Sequence, residues 1–412
     1  MSRIDELVAE LCPNGVEWRE IGTVLDYEQP TKYLVSSKDY SDDFATPVLT
    51  AGKTFILGYT SETDGIYPAS AENPVIIFDD FTTDFKWVDF PFKAKSSGMK
   101  MLTAADENLA TIRYAYYAMQ MISFSPLDHK RHWISEYSHF EIPVPPIEVQ
   151  REIVRILDSF TELEAELEAE LEARRTQYAY YRDRLLSQEN LEALDGKPVE
   201  MVRLGDVADV RGRIGFRGYK KTDQVKPGEG AISVTPGNIE NGFLSFEDNT
   251  YVSWDKYEES PEIKLYEGDV LLVKTGSTVG KVSQVVELPE KATINPQMAV
   301  LKNITCSQRF LMYSLQSYEL QRQIRIGAGV GSVPNISQEK IGKLMIPIPS
   351  LATQQQIVDI LDRFDALTTS LTDGLPAEIE ARKAQYAYYR DRLLDFPAKE
   401  VLLHENCCVE IR

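Results

Sequence analysis

Two stretches of this chain carry apolar residues at the spacing of a single helix face. In the first, Ile156, Phe160, Leu163, Leu167 and Leu171 are followed by Tyr178, Tyr181 and Leu185. In the second, Ile360, Phe364, Leu367 and Leu371 continue through Leu375 and Ile379 to Tyr386, Tyr389 and Leu393. This spacing predicts a coiled-coil seam. Each stretch would be ~60 Å long as a helix, and so narrow a stripe is not stable in water unless another helix covers it. The other stretch is the obvious cover; packing of each helix on its own neighbouring domain, or pairing with a second chain, are the alternatives. The second stretch has one additional four-residue step, which rotates the stripe by only ~40°. That step holds Asp373, Gly374 and Pro376, and a proline lacks the amide and clashes with the preceding turn, which predicts a kink or break.

The two stretches end alike. Gln177–Leu186 reads QYAYYRDRLL, and Gln385–Leu394 repeats it without change. Upstream, IPVPPIEVQREIVRILDSF from Ile142 pairs with IPIPSLATQQQIVDILDRF from Ile346 at an offset of 204, and Val16–Glu17, Ile21–Gly22 and Val24 pair with Val199–Glu200, Leu204–Gly205 and Val207 at an offset of 183. The chain is therefore a duplication in which each unit is a globular arm followed by a long helix. This predicts an N-terminal helix (1–15), a first arm (16–146), a first long helix (147–190), a linker (191–198), a second arm (199–349), a second long helix (350–395) and a tail (396–412). The predicted fold class is α+β: two mixed α/β globular arms separated by a pair of long antiparallel coiled-coil helices, with an internal pseudo-two-fold repeat.

Composition fits two ordinary cores, with 43% apolar and 26% charged residues in 412. The N-terminus is amphipathic and charged, and no apolar run approaches the ~18 residues of a membrane span, which predicts a soluble, unsecreted protein without a membrane partner. Cys12, Cys306, Cys407 and Cys408 lack CxxC spacing and read as reduced, mostly buried thiols in a cytoplasm.

Charge argues at first against nucleic acid, since the net is −20 where a basic domain is usual. It is unevenly spread. Residues 198–350 balance at 18 basic and 18 acidic side chains, and the excess of acid lies elsewhere: net −10 in residues 1–146, −6 in 147–197, which hold the repeated LEAE unit (Glu162 to Glu172), and −4 in 351–412. Within the balanced arm, RGRIGFRGYKKTDQVK gathers Arg211, Arg213, Arg217, Lys220 and Lys221 around glycines that allow a close approach. KTGSTVGK, Lys274 to Lys281, resembles a phosphate loop but has three residues where that loop needs four between its glycines, and Val282 stands where Ser or Thr would hold magnesium; its β-rich flanks predict a strand–turn–strand. In the first arm, FKAKSSGMK (Lys93, Lys95, Lys100) and DHKRHW (Lys130, Arg131) are comparable basic loops. His129, His132 and His139 lack completing ligands for zinc, so no metal is expected. Asp79, Asp80 and Asp84 in FDDFTTDF are the best paired acids, without a base in a suitable order. Methyl-donor, GxSxG, HExxH and Walker A signatures are missing. A chain that binds and positions, with chemistry done elsewhere, is expected.

Taken together, these residues resemble the DNA-specificity subunits of type I restriction-modification systems. The resemblance rests on the paired helix beginnings, IPVPPIEVQREIV and IPIPSLATQQQIV, and ends, EARRTQYAYYRDRLL and EARKAQYAYYRDRLL. LCPNGVEW, TAGKTFILGYT, PVIIFDDFTTDFKWVDFPFKAKSSGMK and GSVPNIS are also similar. It implies that each arm is a target-recognition domain reading one half of a split, asymmetric site in double-stranded DNA, with the helices fixing the gap. It also implies two methyltransferase (modification) subunits and two restriction/translocase subunits as partners, with S-adenosylmethionine, ATP and Mg on those partners and no cofactor in this chain. The residues expected at DNA are Lys53, Lys86, Lys93, Lys95, Lys100, Lys130 and Arg131 in the first arm, and Arg211, Arg213, Arg217, Lys220, Lys221, Lys274, Lys281 and Arg325 in the second, with Asn295, Gln297 and Asn335 as amides for adenine. A non-catalytic coiled-coil scaffold with two protein-binding arms is the alternative. The tail, VLLHENCCVEIR, loosely echoes the start of an arm; closure onto the N-terminal helix and a truncated third copy are both open.

Overall fold

A computed structural model describes residues 3–52, 54–126, 130–213, 220–240, 242–329, 331, 333–369 and 374–399, the side chains of Lys221, Thr368 and Thr369 excepted. Helix α1 (Arg3–Leu11) leads into the first arm: β1 (Glu17–Glu20), the single turn α2 (Ile21–Val24), β2 (Leu25–Glu28), β3 (Thr46–Leu49), β4 (Ile56–Thr60), β5 (Val75–Asp79), β6 (Phe85–Val88), β7 (Lys93–Ala94), β8 (Met99–Ala104), α3 (Ile112–Met119) and β9 (Glu141–Val144). The long helix α4 (Ile147–Leu185) and α5 (Gln188–Asp195) follow. The second arm holds β10 (Glu200–Arg203), α6 (Leu204–Val207), β11 (Asp209–Arg211), β12 (Gln224–Val225), β13 (Gly230–Val234), β14 (Ile239–Glu240), β15 (Phe243–Leu244), β16 (Tyr251–Ser253) and α7 (Trp254–Glu258). It continues through β17 (Val270–Val273), β18 (Val282–Gln284), β19 (Ala292–Ile294), β20 (Met298–Lys302), α8 (Gln308–Gln316), α9 (Tyr318–Ala328), α10 (Gln338–Gly342) and β21 (Met345–Ile348), before α11 (Leu351–Thr369) and α12 (Leu375–Leu394).

The duplication is visible in topology. The main sheet of the first arm runs β2-β8-β5-β6 and that of the second β11-β20-β17-β18, every pair antiparallel. Each arm also pairs its first strand with its last, β1 with β9 and β10 with β21, which brings the start and the end of the arm together at the foot of its long helix. The central strands, VIIFD and VLLV, are apolar on both faces because helices α3 and α8 cover one side and a second sheet, three-stranded in the first arm and four-stranded in the second, covers the other. Thr111 and Ser307 cap those helices, each accepting a backbone N–H three residues on.

Two compact units emerge, Met1–Glu166 with Glu380–Arg412, and Leu167–Ile379. The boundaries fall inside α4 and α12, so each unit contains an arm and parts of two long helices. In the first unit, Phe160 stacks on Tyr389 with ring centroids 5.4 Å apart, and Lys383 lies 3.7 Å from Glu164, so the helix segments run antiparallel. In the second, Tyr181 stacks on Phe364 at 5.9 Å, while Asp195 just beyond α4 accepts from the Ser350 amide at the start of α11, again antiparallel. Leu167 and Ile379 are buried, but Leu367 is 58% and Ile360 39% exposed, so the stripe in α11 is covered only in part. Leu371 lies outside the described residues. Of the break expected near Asp373 to Pro376, Asp373 lies outside the described residues; Gly374 is a bend and α12 begins at Leu375, with Pro376 in its first turn, where its missing amide costs nothing.

One duplicated feature joins each arm to its long helix. In the first unit, the Thr111 amide donates to Gln150 Oε1 at 3.0 Å, and Gln150 Nε2 donates to the Leu109 and Pro145 carbonyls. Arg113 Nε (2.7 Å) and the Tyr117 hydroxyl (2.5 Å) both donate to Asp158 Oδ1. The second unit repeats this with Ser307, Gln354, Arg309, Tyr313 and Asp362, at 2.9, 2.7 and 2.5 Å for the corresponding bonds. It adds Asp365, whose Oδ2 accepts from Arg309 Nη2 at 3.0 Å; the residue at the same place in the first unit is Thr161.

At the tail, Leu394 and Phe396 join a core with Ile4, Cys12 and Val16, and the Val16 amide donates to the Pro397 carbonyl while Lys399 donates back to Val16. The start of the tail, to Lys399, therefore returns to the segment after α1; the remainder, with Cys407 and Cys408, lies outside the described residues. Cys12 and Cys306 are unpaired and buried, and burial raises both thiol pKa values, that of Cys306 to about 11.

Candidate nucleic-acid interface

In the second arm four loops meet at the end of the main sheet, because β17 and β20 leave their connections side by side. The Lys274 and Thr275 amides donate to the Gln297 carbonyl at 2.8 and 3.2 Å, Gly276 donates to Pro334, and Ile336 donates back to Lys274. Gly276 has φ +105°, which only glycine adopts readily, and this allows the turn to lie against Pro334. Thr275 Oγ1 donates to Asn335 Oδ1 at 2.6 Å. Asn295 Oδ1 accepts from the Gln297 amide at 3.0 Å, and Asn295 Nδ2 donates to Gln297 Oε1 at 3.1 Å. Lys274, Asn295, Gln297 and Asn335, scattered over 60 residues, are thus brought together. Gln297 and Asn335 are exposed and Asn295 is buried beneath them. Lys274 is half-buried, and burial lowers its ammonium pKa. Gly212, just past β11, approaches the Met298 carbonyl at the same edge; residues 214–219 beyond it lie outside the described residues. Helix α9 ends there too, since the Asn335 amide reaches the Ala328 carbonyl; Arg325, in its last turn, is exposed with its guanidinium 5.9 Å from the Tyr318 ring centre.

The other expected cations differ in what they touch. Arg211 is exposed and paired with Asp209 at 3.3 Å; hydrogen bonds from Asn303 and Arg211 hold that carboxyl below its usual range. Arg213 is buried rather than displayed, and Lys220 is exposed. Lys281 is spent on the Ile239 carbonyl at 2.8 Å. Arg217 and Lys53 fall outside the described residues, as does the side chain of Lys221. The KTGSTVGK segment is a hairpin connection between β17 and β18, as its flanks predict.

In the first arm two expected DNA contacts are corrected. Lys93 is buried, 2.7 Å from Glu62 and donating to the Asp64 carbonyl; its hydrogen bond is the largest cause of the lowered Glu62 carboxyl pKa. Lys100 is fully buried, 2.9 Å from Asp80, with its ammonium 4.8 Å from the Tyr27 ring centre. Neither presents a charge to a partner; both neutralise acids inside the fold. Asp80 also accepts the Trp133 amide at 2.8 Å and, through its carbonyl, the His132 amide. The paired acids of FDDFTTDF are therefore structural: Asp80 ties the β5–β6 turn to the loop carrying Lys130 and Arg131, and Asp79 caps that turn through the Phe81 and Thr82 amides. Lys130 and Arg131 remain exposed, Lys86 is half-buried on β6, and Lys95 donates to the Tyr40 hydroxyl at 2.8 Å. His132 meets Glu136, and His139 meets Glu20.

The duplicated clamp of Gln150, Arg113, Tyr117 and Asp158 with its counterpart escaped the sequence reading. Its signal was present in the repeat: Gln150 and Asp158 recur at 204 residues, Arg113 and Tyr117 at 196.

Comparison with known proteins identifies the family. The profile of the type I restriction modification DNA specificity domain matches twice, over residues 13–173 and 196–381. The specificity subunit of the Escherichia coli type I restriction enzyme EcoR124I/EcoR124II is 43% identical, across 98% of this chain and 100% of that one. A putative type I specificity subunit of Mycoplasma pneumoniae is 31% identical, across 63% of this chain and 98% of its own length. Among solved structures, the S subunit of a type I system from M. genitalium superposes with a TM-score of 0.50 at 17% identity, covering 92% of this chain and 96% of that one. A chain from a study of assembly and conformational transition of the type I R-M system gives 0.51 at 18%, covering 93% and 98%. At such identities these two speak for the fold alone. Two family domains in one chain, on two arms of one topology, place this protein among the type I restriction-modification specificity subunits, the DNA-recognition components of those systems.

Proposed function

We propose that each arm reads one half of a split, asymmetric duplex site through the loops at the end of its main sheet, and that the two long helices set the gap between halves. The observation that carries this is the pairing of one main-sheet strand order with unlike loops: amides and Lys274 at the edge in the second arm, and Lys130 and Arg131 beside the Asp80 turn in the first. Two similar frames with different lips suit two different half-sites. Exposed Gln297 and Asn335 have the donor and acceptor pair that reads adenine in the major groove. Phosphate neutralisation, for which a chain of net charge −20 is poorly equipped, falls to partner subunits that enclose the duplex. Those partners are two methyltransferase and two restriction/translocase subunits, which carry the methyl donor, ATP and Mg; this chain does no chemistry.

The twice-repeated decapeptide supports two copies of one partner. Its Tyr178 and Tyr386 are largely buried, and Tyr181 and Tyr389 stack inside their units, but Tyr180 and Tyr388 are 60% and 59% exposed, with ring contacts to the adjacent Tyr181 and Tyr389. Beside them Arg184 and Arg392 are exposed on the same face. Exposed Tyr and Arg are the side chains that dominate protein interfaces.

Two measurements test the reading. Gln297→Ala and Asn335→Ala, each in the full chain assembled with its methyltransferase subunit, are expected to weaken binding by roughly 5- to 100-fold at the second arm's half-site alone. Competition binding with duplexes randomised in one half decides this; equal losses at both halves, or none, count against it. Inserting one LEAE unit into each long helix adds ~6 Å, so the preferred gap is expected to grow by one or two base pairs at ~3.4 Å each with both half-sites kept. Altered half-sites at an unchanged gap would refute the spacer role.

A further inference from the structure

We propose, building on the reading that each arm serves one half-site, that Gln150 and Asp158 in the first unit and Gln354 and Asp362 in the second are positioning residues that fix the angle of each arm on its helix, and so the tolerance of the complex for gaps one base pair too long or too short. Two observations carry this. The first is geometric. Beside the apolar packing of Val149, Ile153 and Leu157 (Ile357, Val358 and Leu361 in the second unit), each arm is bonded to its long helix at two polar points: a buried glutamine whose amide oxygen accepts from the capping residue of the arm helix, and an aspartate that accepts from an arginine and a tyrosine two and six residues past that cap. The two points are eight residues apart, ~12 Å along the axis. An attachment at one point leaves a hinge, whereas two define an angle.

The second observation is selective divergence between the copies. TIRYAYYAMQ and SQRFLMYSLQ, the arm helices with their caps, share a hydroxyl cap, Arg113/Arg309, Tyr117/Tyr313 and Gln120/Gln316, while most of the buried apolar residues between them have changed. Packing alone needs only apolar volume at this surface. Directional groups kept on both sides of the contact, in arms whose reading loops differ, point to a shared mechanical requirement.

The magnitudes agree. An arm of this size spans ~30 Å, so displacing its far edge by one base-pair step, ~3.4 Å, requires a tilt of roughly 6°. Over a ~12 Å baseline that tilt is a slip of just over 1 Å at one anchor, about what separates a made hydrogen bond from a broken one. The clamp is not equal in the two units, because Arg309 also bonds Asp365 where the first unit has Thr161. Arg309 therefore keeps one bond to the long helix when Asp362 is altered, whereas Arg113 has no such second acceptor among the described residues.

The experiment uses the full chain assembled with its methyltransferase subunit and a duplex series with fixed half-sites and the gap varied by one base pair either way. Asp158→Asn with Tyr117→Phe is expected to reduce the preference for the native gap roughly tenfold, with the ranking of half-site sequences unchanged, and Asp362→Asn with Tyr313→Phe to reduce it less. A purely structural role predicts equal losses at every gap, and that result, or a gap preference within about twofold of the unaltered chain, overturns the proposal. If the aspartate variants melt early, Tyr117→Phe alone, which removes one hydroxyl from a packed ring, decides in the same direction with a smaller change. An unaltered complex without any bipartite preference would instead refute the functional reading itself.

Discussion

Replacing Lys100 with alanine is expected to destabilise the first arm by about 3–5 kcal/mol, the cost of leaving one member of a buried ion pair without the other. Lys100 and Asp80 are both almost fully shielded from solvent and 2.9 Å apart. Asp80 is only 1% exposed and the Trp133 amide already occupies one of its carboxylate oxygens, so the loss of the ammonium leaves a buried charge with little access to water. Against a typical domain stability of about 5–15 kcal/mol, this loss lowers the melting temperature by roughly 10–20 °C. It should also release the loop bearing Lys130 and Arg131, since that loop is anchored through Asp80. Calorimetry and limited proteolysis around residue 130 report both effects. Lys100→Met with Asp80→Asn is expected to recover most of the stability, as the asparagine oxygen still accepts the Trp133 amide and no lone charge remains. A Lys100→Ala protein that melts within a degree or two of the unaltered chain would show that the pair is not buried in solution.

Lys100 also shows what patterning cannot convey. FKAKSSGMK reads as a basic loop because its lysines are separated by small and polar residues, but Lys100 lies on β8, a strand buried on both faces, so alternation gives no warning. Its partner Asp80 is 20 residues away, in a segment that reads as paired acids rather than as a lysine's counter-charge. Lys93 was misread for the same reason, with Glu62 still more distant. The features that were legible have short periods or copy themselves: the helix stripes, the arms, the β17–β18 hairpin and the start of α12. The convergence of Lys274, Gln297 and Asn335 could not be derived, because it depends on strand order, and strand order depends on pairings between β11, β20 and β17 over long sequence separations. Exposure of Leu367 and Ile360 within an apolar stripe is likewise a tertiary outcome, since periodicity states which face is apolar and not how much of it is covered.

The second large effect is a pH dependence confined to one copy of the clamp. Asp365 is buried between Tyr313 and Arg309, and burial, opposed by the guanidinium and the tyrosine hydroxyl, raises its carboxyl to about 6. A carboxyl raised on folding binds its proton more tightly in the folded chain, so between pH ~4 and ~6 the native state holds more protons than the unfolded state and stability falls as pH rises through that window. Above it, the ionised side chain costs about 3 kcal/mol, from a shift of roughly two units at 1.36 kcal/mol each. Asp365→Thr, which installs the residue found at the same place in the first unit, is expected to remove that cost while Asp362 still accepts from Arg309 and Tyr313. Other carboxylates titrate in the same range with the opposite sign, so the informative quantity is the difference between variant and unaltered chain, measured by urea unfolding at pH 4.5, 6 and 8. That difference should be near zero or unfavourable to the variant at pH 4.5 and favour it by up to about 3 kcal/mol at pH 8. A difference that does not change with pH would mean that Asp365 is ionised throughout, and that Arg309 and the two aspartates form a network in which the guanidinium outweighs burial.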